Sequence, residues 1–149
     1  MKKFFIIITS LLCCNISLAN NLKIVDGDTI ILNGEKIRFS GIDTPELKQT
    51  CLHKNEIVDC GISAKTLLIK KIGNKTPECI IEGKDMYNRT LAECFINGKS
   101  LSKFLVRSGH AFAYRKYSKK FIEDENFAKV NKNGMWEMKF QYPWDFRKR

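Results

Sequence analysis

In Lys36-Ile37-Arg38-Phe39-Ser40-Gly41-Ile42-Asp43-Thr44-Pro45-Glu46 an alternating strand runs into a turn crowded with charge. Side chains alternate along a strand, so Ile37 and Phe39 point one way and Arg38 the other. Gly41 frees the backbone and Pro45 removes a donor, so the strand ends between them. Arg38, Asp43 and Glu46 are thereby gathered at one strand end. A cation and two carboxylates held together lose solvation unless something uses them. A metal ion and a phosphate would use all three.

Upstream, Leu22 to Val25 and Thr29 to Leu32 read as strands on either side of Asp26-Gly27-Asp28. Asn33-Gly34 is a two-residue hairpin signal leading into the Lys36 strand. The chain start has the grammar of an export signal: Lys2 and Lys3, an apolar run from Phe4 to Leu12, and Ser17-Leu18-Ala19 as a small-x-small cleavage site. Residues 1–19 are therefore expected to be removed, leaving one domain over 20–149, and the apolar run is too short for a membrane span.

Downstream, a polar loop holds Cys51 and Cys60, and Ser63 to Lys71 reads as a helix capped by Ser63 with Gly73 after its end. Glu78 to Glu82 and Thr90 to Ile96 read as strands around a Gly83-to-Arg89 loop. Ser100 to Ser108 and Lys119 to Asn131 read as helices, Gly134-Met135-Trp136 as a closing turn, and the chain from about 137 as a basic tail, loose from Trp144 to Arg149. Five short strands with interspersed helices make a mainly β, α+β domain and suit a small OB-type barrel.

The chain carries 26 Lys and Arg against 16 Asp and Glu, a net charge of +10. That balance favours polyanionic partners: nucleic acid, or anionic lipid and wall polymers. Beyond the signal four cysteines remain, Cys51, Cys60, Cys79 and Cys94, an even number that in an exported chain implies two disulfides. Zinc finds no C-x-x-C spacing here.

Three clusters carry chemistry. Asp26-Gly27-Asp28 sets two carboxylates on a tight turn; alone it is most simply an Asx turn. Asp43-Thr44-Pro45-Glu46 adds two more carboxylates and a carbonyl. Asp85-Met86-Tyr87-Asn88-Arg89 places a guanidinium where a loop re-enters a strand. Together they are the parts a phosphodiesterase needs. Two forked guanidiniums can clamp the oxygens of five-coordinate phosphorus. Hard oxygen ligands can hold a divalent ion, and a carboxylate can orient or deprotonate water.

Val25-Asp26-Gly27-Asp28-Thr29, Arg38 to Glu46, Asp85 to Ala92 and Leu105-Val106-Arg107-Ser108-Gly109 together resemble the staphylococcal nuclease (thermonuclease) family. The resemblance implies an OB-fold five-stranded barrel with three helices and a calcium-dependent endonuclease acting on DNA and RNA to leave 3′-phosphates. Arg38, Glu46 and Arg89 fall on the family's catalytic positions. Asp28, Asp43 and the Thr44 carbonyl fall on its Ca2+ ligands, and Asp26 on a supporting acid. Tyr87 and Tyr117 match substrate-contacting aromatics. Met86 stands where the founding nuclease has lysine, and Asn88 where the loop usually has glycine. A non-catalytic nucleic-acid-binding OB module is the rival expectation. The expected setting is a monomer in the periplasm or secreted.

For the cysteines, Cys51 and Cys60 flank one short loop. Cys79 and Cys94 lie on the two strands around the Asp85-to-Arg89 loop, with its turn midway between them, so they should oppose each other. The expected pairs are Cys51–Cys60 and Cys79–Cys94.

Overall fold

The Asn33-Gly34 turn takes the positive φ values that a two-residue hairpin requires, 52° and 85°. In the computed structural model, which describes residues 21–148, it joins β2 (Thr29–Leu32) to β3 (Glu35–Phe39), with Thr29 opposite Arg38 and Ile30 opposite Ile37. The leader expected over 1–19 lies outside the described residues. β1 (Leu22–Ile24) pairs with β2, and β4 is the two-residue Ile42–Asp43. Then come the β5–β6 hairpin (Cys51–His53, Glu56–Val58) and helix α1 (Cys60–Ile72).

β7 (Glu78–Lys84) and β8 (Thr90–Ile96) form the next hairpin. β9 (Lys99–Ser100) leads into α2 (Leu101–Arg107), β10 (Phe112–Ala113) and α3 (Ile122–Val130). A 3-10 turn over Gly134–Glu137 precedes α4 (Pro143–Phe146).

The main sheet runs β1-β2-β3-β8-β7, with β9 on β8, and curls into the half-barrel of an OB-fold. β3 and β8 are parallel, with Arg38 beside Leu91. This places the entry to β8, just after Arg89, next to the strand carrying Arg38. β4 pairs separately with β10, Asp43 opposite Phe112. Ile30, Ile37, Phe39 and Ala92 from the sheet meet Leu68 and Ile72 of α1 and Leu101 and Leu105 of α2 in one core. Burial of such side chains contributes roughly 1.5–3 kcal/mol each.

Cys79 and Cys94 are directly opposed and bonded, with a Cα separation of 4.0 Å, and Cys51 at the start of β5 is bonded to Cys60 at the start of α1, with a Cα separation of 5.8 Å. Asn88 takes the left-handed conformation, φ 60°, in place of the glycine it replaces.

The structure differs from the sequence reading in four places. The polar loop before α1 contains the β5–β6 hairpin, turned at Lys54 and Asn55 with φ 49° and 68°. α1 starts at Cys60, three residues early. Ser63 does not cap it but donates its hydroxyl to the Asp59 carbonyl at 2.9 Å. The described residues contain four α-helices, not three.

The fourth difference is the C-terminal segment, which is packed, not loose. Phe140, Tyr142, Trp136 and Trp144 surround Phe112, with ring centroids 5.0 to 6.1 Å away. Apolar residues at 136, 138, 140, 142 and 144 alternate as in a strand, so one face of the segment seals a second core built on Cys51, Cys60, Phe112 and Met135.

His110 follows α2 and is half-buried. Burial pushes its imidazole below the usual range, against the pull of the Ser108 carbonyl 2.9 Å from Nδ1. The unfolded chain therefore takes up the proton first. Stability from this group is present above about pH 6.5 and is lost as pH falls towards the folded pKa. The margin in thermal unfolding midpoint by which the wild type exceeds His110→Asn should therefore shrink between about pH 7 and pH 5, as read by circular dichroism, since carboxylates such as Asp28 titrate alike in both.

Candidate active site

Register brings the first charges together. Arg38 sits opposite Thr29, so its side chain lies beside the residue just before β2, Asp28. Arg38 Nη1 donates to Asp28 Oδ1 at 2.7 Å and Nη2 to Asp43 Oδ1 at 2.7 Å. The Thr44 amide donates to Asp28 Oδ2 at 3.1 Å, and the Thr29 hydroxyl to Asp28 Oδ1 at 3.0 Å. Asp26 is the Asx acceptor of this turn: its Oδ1 receives the Asp28 amide at 3.0 Å. The Asx turn read from Asp26-Gly27-Asp28 is thus present.

These are buried groups. Asp28 and Asp43 are 2% and 0% exposed. Burial pushes the Asp28 carboxyl up to about 7 against the pull of Arg38, and Asp26 and Asp43 add to the rise. Burial also works against the charge of Arg38, but Asp28 and Asp43 outweigh it and hold the guanidinium above its ordinary range. Desolvated charges of this kind are concentrated where chemistry is done.

Glu46 joins the cluster through a residue that sequence reasoning missed. Arg147, following α4, donates Nη1 to Glu46 Oε1 at 2.7 Å and Nη2 to Asp43 Oδ2 at 2.7 Å. The loop carrying Glu46 is fixed from below by Gln49, which is 1% exposed. Gln49 Oε1 accepts the Glu46 amide at 3.2 Å and its Nε2 donates to the Gln141 carbonyl at 2.6 Å.

The structure therefore assembles Asp26, Asp28, Arg38, Asp43, Thr44 and Glu46. Arg89 stays within its own loop: Nε donates to Asp85 Oδ2 at 2.6 Å, and the guanidinium lies 5.5 Å from the Tyr87 ring centre. Burial works against the Asp85 charge, but the Arg89 amide, the Arg89 guanidinium and the Tyr87 amide together outweigh it and hold the carboxyl below its usual range. Tyr87 is 73% exposed. Tyr117, also exposed, meets Tyr114 edge-on at 5.0 Å, and Tyr114 in turn stacks on Trp144 at 5.7 Å. Beside that stack lies an open cleft of about 340 Å³ lined by Tyr114, Arg115, Lys116, Trp144 and Lys148.

Among the described residues no three His, Cys, Asp or Glu side chains converge as a ready-made metal cage. The donor set is instead two buried carboxylates paired with Arg38 and Arg147, with the Thr44 backbone beside them. Hard oxygens in that number fit calcium, which accepts water for the rest of its shell.

A sequence model described as a staphylococcal nuclease homologue matches residues 36–138. The chain belongs to the staphylococcal nuclease family. The match starts at the Arg38 strand and ends before Arg147. Three relatives show how widely it is spread. A succinoglycan biosynthesis protein, ExoI, of Rhizobium meliloti is 31% identical over 76% of this chain and 62% of its own length. An uncharacterized endonuclease of Haemophilus influenzae is 30% identical, covering 77% of this chain and 64% of its own. A probable staphylococcal-like nuclease of rice (Oryza sativa subsp. japonica) is 27% identical over 81% of this chain but only 31% of its own. The chain thus spans between about a third and two thirds of the length of these relatives.

Proposed function

We propose that the protein is a calcium-dependent endonuclease that hydrolyses phosphodiester bonds of DNA and RNA and leaves 3′-phosphates. The observation that carries this is the buried Asp28–Arg38–Asp43 triad with Glu46 held at its edge. Asp28, Asp43 and the Thr44 carbonyl would hold calcium, which when bound supplies Lewis-acid stabilisation of the phosphate oxygens. Arg38 presents a guanidinium whose charge is fixed, and Arg89, released from Asp85, supplies the second fork. Glu46 orients the attacking water or takes its proton. Water adds to phosphorus and the bond to O5′ breaks; the leaving oxygen picks up a proton as the 5′-hydroxyl.

Recognition is of backbone, not sequence. The cleft beside Tyr114 and Trp144 offers a stacking ring flanked by three cations, a pairing that suits any nucleotide. A net charge of +10 favours the same partners. Two disulfides in so small a domain suit an oxidising compartment, so the protein acts after export, in the periplasm or outside the cell, as a monomer.

The test is direct. The mature protein should degrade single-stranded DNA and RNA in calcium and stop when excess chelator is added, followed by gel and by end-group analysis. Full activity in chelator would sink the metal assignment. Binding of nucleic acid without cleavage under any divalent ion would instead establish the non-catalytic OB module.

A further inference from the structure

The cation seated on Asp43 and Glu46 belongs to the chain itself. Arg147 contacts both oxygens of Asp43, Oδ1 at 3.2 Å and Oδ2 at 2.7 Å, while Nη1 also reaches Glu46 Oε1 at 2.7 Å. Its position is built, not incidental. Two residues before α4, the Gln141 carbonyl is tied to Gln49. Within α4, Pro143 is buried and Trp144 stacks between Tyr142 and Tyr114, 4.6 and 5.7 Å between centroids. The segment therefore ends with its guanidinium aimed at the site.

Both oxygens of Asp43 are thereby in use, since Arg38 also donates to Oδ1. Three guanidinium hydrogen bonds already fall on the two oxygens of Asp43, two on Oδ1 and one on Oδ2, so a divalent ion taking Asp43 as a ligand would share the carboxylate with two arginine cations. Like charges around one carboxylate repel strongly when half-buried. One of the two arginines has to give way. Arg38 is 15% exposed, rises from the middle of a paired strand and bridges Asp28 to Asp43. Arg147 is 38% exposed and follows a four-residue helix. It is the one that can move cheaply.

We propose that Arg147 is the resident counter-ion of the metal site, displaced from Asp43 when a divalent ion binds, and so a determinant of metal affinity. This rests on the reading of Asp28 and Asp43 as calcium ligands. In the free protein Arg147 keeps the buried Asp43 and the half-exposed Glu46 paired; on metal binding it yields its place, and the exchange subtracts from the affinity.

Isothermal titration of calcium into the metal-stripped mature protein, without nucleic acid, tests it. Arg147→Gln should bind calcium more tightly, by about three- to tenfold given the partial exposure and screening of the pair. Arg147→Lys keeps the charge and should stay near the wild-type affinity. Asp28→Asn should lose binding. If Asp28→Asn loses binding but Arg147→Gln binds no more tightly than wild type, the displacement is wrong and the metal site stands. Calcium binding absent from every form would overturn the calcium reading itself and the proposal with it. Unfolding curves of the metal-free variants, each expected to be cooperative, show that the comparison is among folded proteins.

Discussion

Arg38→Ala and Arg89→Ala should each lower the turnover number on single-stranded DNA by about 10²–10³, the loss typical of removing one donor that stabilises transition-state charge. The two variants should differ in every other respect. Arg38 neutralises two carboxylates that are 2% and 0% exposed. Stripping it leaves buried charge without a partner, a change that commonly costs 3–5 kcal/mol, or about that after protons are taken up. Arg38→Ala should therefore also melt at a markedly lower temperature. Arg89 pairs with Asp85 in an exposed loop, at 28% side-chain exposure, and its removal strips no buried group. Its fold should be nearly as stable as wild type while its turnover collapses. Arg89→Ala is the sharper experiment for that reason. Near-normal turnover in it would mean that Arg89 never leaves Asp85 to reach substrate, and would remove it from the catalytic set. Arg38→Lys adds a check on geometry: one ammonium cannot span Asp28 and Asp43 as the fork does.

What could be read from the sequence were features set by local pattern. Alternation and Asn33-Gly34 fix the β2–β3 register, and that register alone brings Arg38 beside Asp28. The Cys79–Cys94 bond followed from hairpin symmetry around the Asp85-to-Arg89 loop. Three-residue strands such as β5 and β6 carry too few side chains to show a period, and their turn uses Lys54 and Asn55 with no glycine. The packing of the tail is written in apolar residues at every second position from 136 to 144, set among charges and carried by a 3-10 turn, a short extended stretch and the start of α4, so no single period marks it. Arg147 could not have been found locally. Its partners lie 101 and 104 residues earlier, and nothing about an arginine near a chain end names them. Gln49, with its link to Gln141 across 92 residues, was hidden in the same way.

Gly61→Ala should lower turnover by about a hundredfold while leaving KM close to wild type, because Gly61 sets where Glu46 stands. Gly61 lies in the first turn of α1 and is buried. A β-carbon there would fall 1.8 Å from the Glu46 carbonyl oxygen and 2.8 Å from Leu47 Cα. These are backbone atoms, which cannot swing aside as a flexible side chain would. Neither partner can simply retreat: the neighbouring Cys60 is bonded to Cys51, and the Gly61 amide donates to the Gln49 carbonyl at 3.2 Å. Relief must come from displacing the Glu46–Leu47 backbone, and with it the carboxylate on Arg147. A shift of about 1 Å in a positioned group is enough for a 10²-fold loss. Overpacking should also destabilise the fold by roughly 1–3 kcal/mol. Gly73→Ala separates the two effects. A β-carbon there meets nothing within 4 Å, but its φ of 57° makes alanine strained. It should lose stability and keep its turnover. If Gly61→Ala, assayed well below its melting temperature, cleaved DNA at the wild-type rate, the position of Glu46 would not be what limits the reaction, and its role as base or water-orienter would have to be given up.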